Sequence, residues 1–370
     1  MISTLLPANF VFTFRFSLVT FHYICLLSKI AMARILTGIQ STGIPHLGNI
    51  LGAILPGIKL ADDPQNEAFF FIADFHSLTT IHDPEVLSEN TYATAAAWLA
   101  CGFNTERGFF YRQSDIPEVT ELTWYLTCFF PISRLQLAHG YKDKSEHLEG
   151  VSSGLMFYPM LMAADILMYD SNIVPVGKDQ LQHLEFTRDV AERINSRFGE
   201  DTFVVPEARI DENVQTVPGI FKDAEGNFMK MSKSYGNTIN IFEDDKKLRK
   251  RIMQIQTDAT PMEEAKNPDN CIVYKLHSLI APAEKTAELR EAYLKPGMGY
   301  GSAKEQLYLA ILERFGEARE KHAFYMNNRK EVDLKLQEGA EKAGTIAYEV
   351  LSRVRSRLGY KKLAYFGGDI

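Results

Sequence analysis

The segment NFMKMSKSYGN (227–237) sets Lys230 and Lys233 on either side of Ser232, with Ser234, Gly236 and Asn237 close behind. It follows neither the two-residue period of a strand nor the 3.6-residue period of a helix, and reads as a mobile cationic loop. Ammonium groups match phosphate charge and glycine permits close backbone approach, so the loop suits a polyphosphate; taken alone it equally fits a solvated surface loop. A second segment, GIQSTGIPHLGN (38–49), places three glycines between a strand and a helix. Backbone N–H groups there can face an anion at the helix N-terminus. His46 and Asn49 fall one turn apart, and each can donate to a phosphate. The glycine spacing is not that of a dinucleotide fold, and the absence of Gly-Lys-Ser/Thr excludes a Walker loop. A third segment, YPMLMAADILMYDSNIVPVGKDQLQH (158–183), carries Tyr158, Met162 and Asp165 at i, i+4 and i+7, on one helix face. A carboxylate on so apolar a face needs a partner. A neighbouring Lys or Arg would serve, and so would a ligand group that only donates.

The elements that must position these residues alternate in type. RILTGI (34–39) reads as a strand, and LGNILGAILPGIKLA as a helix that Pro56 should kink. AFFFIAD (68–74) is an unbroken apolar run, as in a strand covered on both faces. A helix at 88–102, a strand at 108–114, helices at 117–130 and 155–169, a strand at 172–176 and a helix from GKDQ to about 198 follow. Such alternation implies an α/β fold with a Rossmann-like parallel sheet and helices on both faces, binding ligands beyond the carboxyl ends of its strands. Residues 211–229 read as a linker. After Asn240 the strands stop, and 241–359 reads as helix almost throughout, a C-terminal all-α part. The expected organisation is a catalytic domain at 32–240 with the lysine loop at its end, and a helical domain at 241–338. A C-terminal helix and tail, 339–370, would pack back on the catalytic domain.

With 370 residues, 46% apolar and 24% charged, the chain can bury a full core. Its net charge of −7 rules out a global positive field as the means of recruiting nucleic acid; a contact of that kind must be a local patch. The four cysteines are scattered without CxxC or a Cys/His cluster, which argues against structural zinc and a disulfide framework and fits a reducing cytoplasm. Residues 1–31 carry no acid, are broken by Arg15 and His22, and suit neither a membrane span nor a signal peptide. Met32 is the expected native start; a mitochondrial leader is the alternative.

PHLGN followed far downstream by KMSKS resembles the paired signatures of the class I aminoacyl-tRNA synthetases. Asn49 where the first motif usually ends in His, together with the stretch 158–183, resembles the tryptophan branch in its bacterial form. The resemblance runs from about Arg34 to about Leu358 and also takes in ADFHSLT (73–79), TRDVAERIN (187–195), PEARI (206–210), KPGMGYG (295–301) and GAEKA (339–343).

That resemblance implies activation of L-tryptophan with Mg2+ and ATP to tryptophanyl-adenylate, then transfer to the 3' end of tRNA(Trp) by a homodimer without membrane attachment. It implies catalytic roles for His46, Asn49, Lys230 and Lys233. The ATP site implied takes Gln40, Ser41, Thr42, Gly48 and Asn49 from the first turn; Gly177, Lys178 and Asp179 from GKDQ; Val217; and Lys230, Met231, Ser232, Lys233 and Ser234. Magnesium would be held by the ATP phosphates rather than by a protein metal site. For tryptophan, Asp165 would accept the indole N–H, a donor-only group. Tyr158, Met162, Val174 and Val176 would wall the ring, with Gln180 near the amino-acid head group. His76 would lie near the pocket or serve as an ordinary core histidine. Lys246, Lys247, Arg249, Lys250 and Arg251 form a candidate tRNA patch, or a solvated face paired to Asp244 and Asp245. A tyrosyl enzyme shares the fold, but its site usually adds a tyrosine in the first strand, where this chain has Ile35-Leu36-Thr37. A nucleotidyltransferase would lack the helical domain. A silent RNA-binding paralogue would commonly have lost signature residues that are present here.

Overall fold

The computed structural model describes residues 32–138, 152–175, 177, 180–209 and 216–361. Strand β1 (Ala33–Ile39) pairs in parallel with β2 (Asn66–Ile72), and β2 with β3 (Phe109–Arg112). On its other side β1 meets β4 (Ile173–Pro175), which pairs with β5 (Glu207–Arg209). The resulting five-stranded sheet has the order β3-β2-β1-β4-β5. The chain therefore leaves β1 in one direction and returns to its opposite side with β4. Between them lies the switch point where ligands of such sheets bind.

Side chains of β2 alternate across the sheet. Phe70 and Ile72 enter one apolar cluster, Phe69 and Phe71 the other. Both faces are covered, which is why the segment reads as one apolar run. On the first face Trp98 is fully buried, its ring 4.9 Å from Phe70. Burying a ring of that size stabilises by roughly 2–3 kcal/mol. This cluster continues through Val217, Met231, Ile239 and Ile252 into Ile272, Leu276 and Tyr293, so sheet and helices share one core.

Helix α1 (Leu47–Asn49) passes through a π turn (Ile50–Ile54) into α2 (Leu55–Asp62). The kink expected at Pro56 is instead absorbed by this wide turn, which leaves Pro56 in the first turn of α2, where a missing N–H costs nothing. Then come α3 (Asp74–Ser77), α4 (Pro84–Ala100), α5 (Glu118–Phe129), α6 (Ile132–Leu135), α7 (Ser153–Leu167) and α8 (Leu181–Phe198). Strand β3 ends before the expected 114, and Gln113–Asp115 forms a 3-10 turn.

Two further features depart from expectation. Residues 218–230 are not a bare linker and loop but an antiparallel hairpin, β6 (Pro218–Lys222) and β7 (Phe228–Lys230). The start of the lysine segment is thus strand, and a 3-10 turn follows at Lys233–Tyr235. The signal was the turn DAEGN, in which Asp223 accepts from the Asn227 amide at 2.7 Å and Gly226 takes φ +83°. Strand β5 also escaped the pattern, being only three residues long.

The C-terminal third is α9 (Asp245–Met253), α10 (Ile272–Ile280), α11 (Ala283–Tyr293), α12 (Tyr300–Asn327) and α13 (Arg329–Arg357). Helix α13 lies on edge strand β3 so closely that a Cβ at Gly339 would stand 1.9 Å from the Phe110 carbonyl oxygen. Covering an edge in this way removes a template for aggregation. Among the described residues, no helix is long and apolar enough to cross a membrane.

Candidate active site

The turn after β1 and the lysine segment enclose a cleft of about 280 Å³. One wall is Gln40, Thr42, Gly43, His46 and Asn49; the other is Ser232, Lys233 and Ser234. Gly43 has φ +141°, and a Cβ there would stand 3.0 Å from the Lys233 ammonium. Its bare backbone lets that ammonium close over the turn. Among the described residues the lining carries hydroxyls, amides, an imidazole and an ammonium but no carboxylate, a set that complements a polyanion.

His46 caps α1, and its Nδ1 accepts the Asn49 N–H at 3.3 Å. That bond puts the proton of the neutral ring on Nε2, ready to donate. Asn49 returns the bond, its Oδ1 accepting the His46 N–H at 3.1 Å, which leaves its NH2 for a ligand. Burial, then the charges of Lys233 and Lys230, hold His46 down to about 4. It is therefore a neutral donor at pH 7 rather than a cation. Lys233 is pushed down to about 8 by the surrounding cleft walls, although its side chain remains solvent-exposed.

The first turn of α1 does not offer its amides to an anion. Leu47 N–H donates to Ile239 O at 2.8 Å and Gly48 N–H to Met231 Sδ at 3.3 Å. These bonds fasten the two signature segments to each other. Those two amides are therefore engaged within the protein, while Gln40, Thr42 and Gly43 of the same turn line the cleft. Ser41 is fully buried, its hydroxyl 3.0 Å from that of Ser77, so it does not reach the cleft. Val217 and Met231 are core residues, joined by a Met231 N–H to Val217 O bond of 2.9 Å. Lys230 stands exposed at the end of β7, outside the cleft lining.

A second constellation gathers beyond the ends of β2, β3 and β4. Asp165 is 4% exposed. Its partner is not the Lys or Arg that sequence allowed. Its Oδ2 lies 2.9 Å from His76 Nε2, and Gln113 Nε2 donates to both carboxylate oxygens at 2.7 and 2.9 Å. Burial raises the Asp165 carboxyl, while the bonds from His76 and Gln113 oppose the rise. A carboxylate has about four acceptor positions, so the three bonds from described residues leave one uncounted. On the same helix Tyr158 Oη lies 2.8 Å from His183 Nε2. Met162 is half-buried, and Val174 is buried in the cluster against which Met162 packs. Val176, Lys178 and Asp179 lie outside the described residues; Gly177 accepts the Gln180 N–H at 2.9 Å.

The five basic residues of α9 are not equivalent. Lys247 pairs with Asp244 and Arg249 with Glu305. Arg251 donates to Thr238 O at 2.8 Å and to Gly236 O, gripping the end of the lysine segment. Lys246 and Lys250 are exposed. Sequence reasoning missed Gln113, His183 and the structural part played by Asn237. Their partners are revealed only by contacts across the fold, although His183 lies on the buried face of α8.

Residues 30–316 match the family profile described as tRNA synthetases class I (W and Y). The chain is 46% identical over 328 residues to a tryptophan–tRNA ligase of Fusobacterium nucleatum, covering 89% of this chain and 98% of the relative. It is 43% identical to one from Neisseria meningitidis, again covering 89% and 98%. Among solved structures, it resembles a tryptophanyl-tRNA synthetase of Campylobacter jejuni complexed with ADP and tryptophan. That match has a TM-score of 0.82 and 41% identity, and covers 88% of this chain and 99% of that one.

Proposed function

This chain belongs to the class I tRNA synthetases of the W and Y type, and from that premise we propose that it is a tryptophan–tRNA ligase. In the first step the tryptophan carboxylate attacks the α-phosphate of ATP, forming tryptophanyl-adenylate and releasing pyrophosphate. In the second, a ribose hydroxyl at the 3' end of tRNA(Trp) attacks the adenylate carbonyl and AMP leaves. Neither step needs a protein nucleophile, so the work falls to positioning and charge stabilisation. The cleft residues suit the first step: Lys233 and the Nε2–H of His46 face one volume from opposite walls, with Asn49 beside them. Magnesium would travel on the phosphates, whose oxygens suit so hard a cation.

The observation that carries the substrate is Asp165, a buried carboxylate with one acceptor position left once His76 and Gln113 are counted. An indole N–H fits it as a pure donor. The tyrosyl branch usually adds a tyrosine from the first strand, where β1 carries Ile35, Leu36 and Thr37 instead. The helical part at 241–338, with its basic helix α9, is assigned to tRNA, and the enzyme to a homodimer in the cytoplasm. Exchange of labelled pyrophosphate into ATP tests the reading. Tryptophan should drive it and tyrosine should not; exchange with tyrosine would overturn the pocket assignment, and exchange with neither the enzyme itself.

A further inference from the structure

Asn237 is fully buried and spans the lysine segment from behind. Its Oδ1 accepts the Ser232 N–H at 2.7 Å, and its Nδ2 donates to the Lys230 carbonyl at 3.1 Å. Its own carbonyl accepts from Ile220 N–H of β6 at 3.0 Å. One side chain thus fixes the backbone at Lys230 and immediately before Lys233. It can do so only because residue 219 is glycine. A Cβ there would stand 2.1 Å from Asn237 Nδ2 and 2.3 Å from its Cγ. From the other side, the Arg251 guanidinium of α9 holds Gly236 O and Thr238 O, the carbonyls that bracket Asn237. Gln256, just past α9, adds an N–H bond to Ile220 O at 2.7 Å. Helix α9, β6 and the exit of the lysine segment are therefore one hydrogen-bonded unit.

We propose that Asn237 and Arg251 are positioning residues for adenylate formation, acting by fixing where Lys230 and Lys233 present their ammonium groups. Arg251 then acts through the lysine segment rather than as a phosphate contact of tRNA. The proposal rests on the ligase reading for its kinetic consequence, but the holding of the segment stands independently. Misplacing a charge by about 1 Å can slow such a step about 100-fold. Asn237→Ala should remove both side-chain bonds. Gly219→Ala should expel the same amide without touching Asn237. Arg251→Gln should release the segment's exit, and Arg251→Lys should restore part of the loss.

The test measures the single-turnover rate of adenylate formation without tRNA, together with the KM for tryptophan and cleavage by trypsin after Lys230 and Lys233. The expected result for Asn237→Ala, Gly219→Ala and Arg251→Gln is a rate lowered about tenfold or more, at unchanged tryptophan KM. Tryptic cleavage in the segment should be faster in all three, and Arg251→Lys should recover part of the rate. Unchanged rates, or a tryptophan KM that rises in step with the loss, would overturn the proposal. So would an Arg251→Gln defect confined to the tRNA-dependent step. Should the wild-type chain give no tryptophan-dependent exchange, the ligase reading fails. Tryptic cleavage still decides the holding: wild-type rates in the variants would overturn it, and faster cleavage would uphold it.

Discussion

At the scale of single residues, the cleft is a lesson in proton placement. His46 is buried and feels the charges of Lys233 and Lys230, so its ring stays neutral down to about 4. Lys233, crowded by the same walls, titrates at about 8. A bound polyphosphate reverses the local field and favours the charged form of both. At pH 8 the γ-phosphate of ATP, with its last pKa near ~6–7, is already ionised, so proton uptake on binding must come from the protein. ATP binding should therefore take up protons increasingly between about pH 7 and pH 8.5, as free Lys233 becomes neutral. Calorimetry in two buffers of different ionisation enthalpy would count them. Lys233→Arg, charged throughout this range, should abolish the uptake; an undiminished count would assign it elsewhere.

Elements are set by close approaches that glycine allows. Helix α13 meets the backbone of β3 at Gly339, where a methyl group would lie 1.9 Å from the Phe110 carbonyl oxygen. Neither helix nor strand can yield without moving its neighbours. Gly339→Ala should cost about 3 kcal/mol or more in urea unfolding, the upper range of overpacking. Gly344, in the same helix, has its nearest neighbour at 3.8 Å. Gly344→Ala should be neutral or stabilise by up to about 1 kcal/mol, because alanine is the better helix former. Equal losses at both positions would show that helix propensity, not the contact with β3, sets the cost. GAEKA was legible as a family segment, but its reason, a strand edge pressed against a helix, was not.

For the whole molecule, charge has to be local. With a net charge of −7, electrostatic recruitment of tRNA has to rest on local patches, and α9 is the one proposed above. Ion pairs already engage Lys247 and Arg249, and Arg251 is turned to the lysine segment, which leaves Lys246 and Lys250 as the most available cations of the five. Replacing Lys246 and Lys250 with Gln should lower the slope of log K for tRNA against log salt by about 1 to 2. Replacing Arg249 alone should change it less. An unaltered slope in the double variant would move the tRNA path off this helix.

The alternation of β1 to β4 with helices, the two segments that line the cleft and Asp165 were readable in the sequence, because each rests on local periodicity or on a side chain's own chemistry. The β6–β7 hairpin was half legible: DAEGN is a turn, but its short flanking strands pair too few residues to leave a pattern. The partners of Asp165 were not legible, since His76 and Gln113 lie 89 and 52 residues away and the fold alone brings them to it. The same holds for Asn237 and Gly219, and for the first-turn amides of α1 that Ile239 and Met231 occupy. Sequence determined which groups this protein has available for chemistry. Tertiary structure decided which of them remain free to do it, because a hydrogen bond closes only between groups that packing has already brought within about 3 Å.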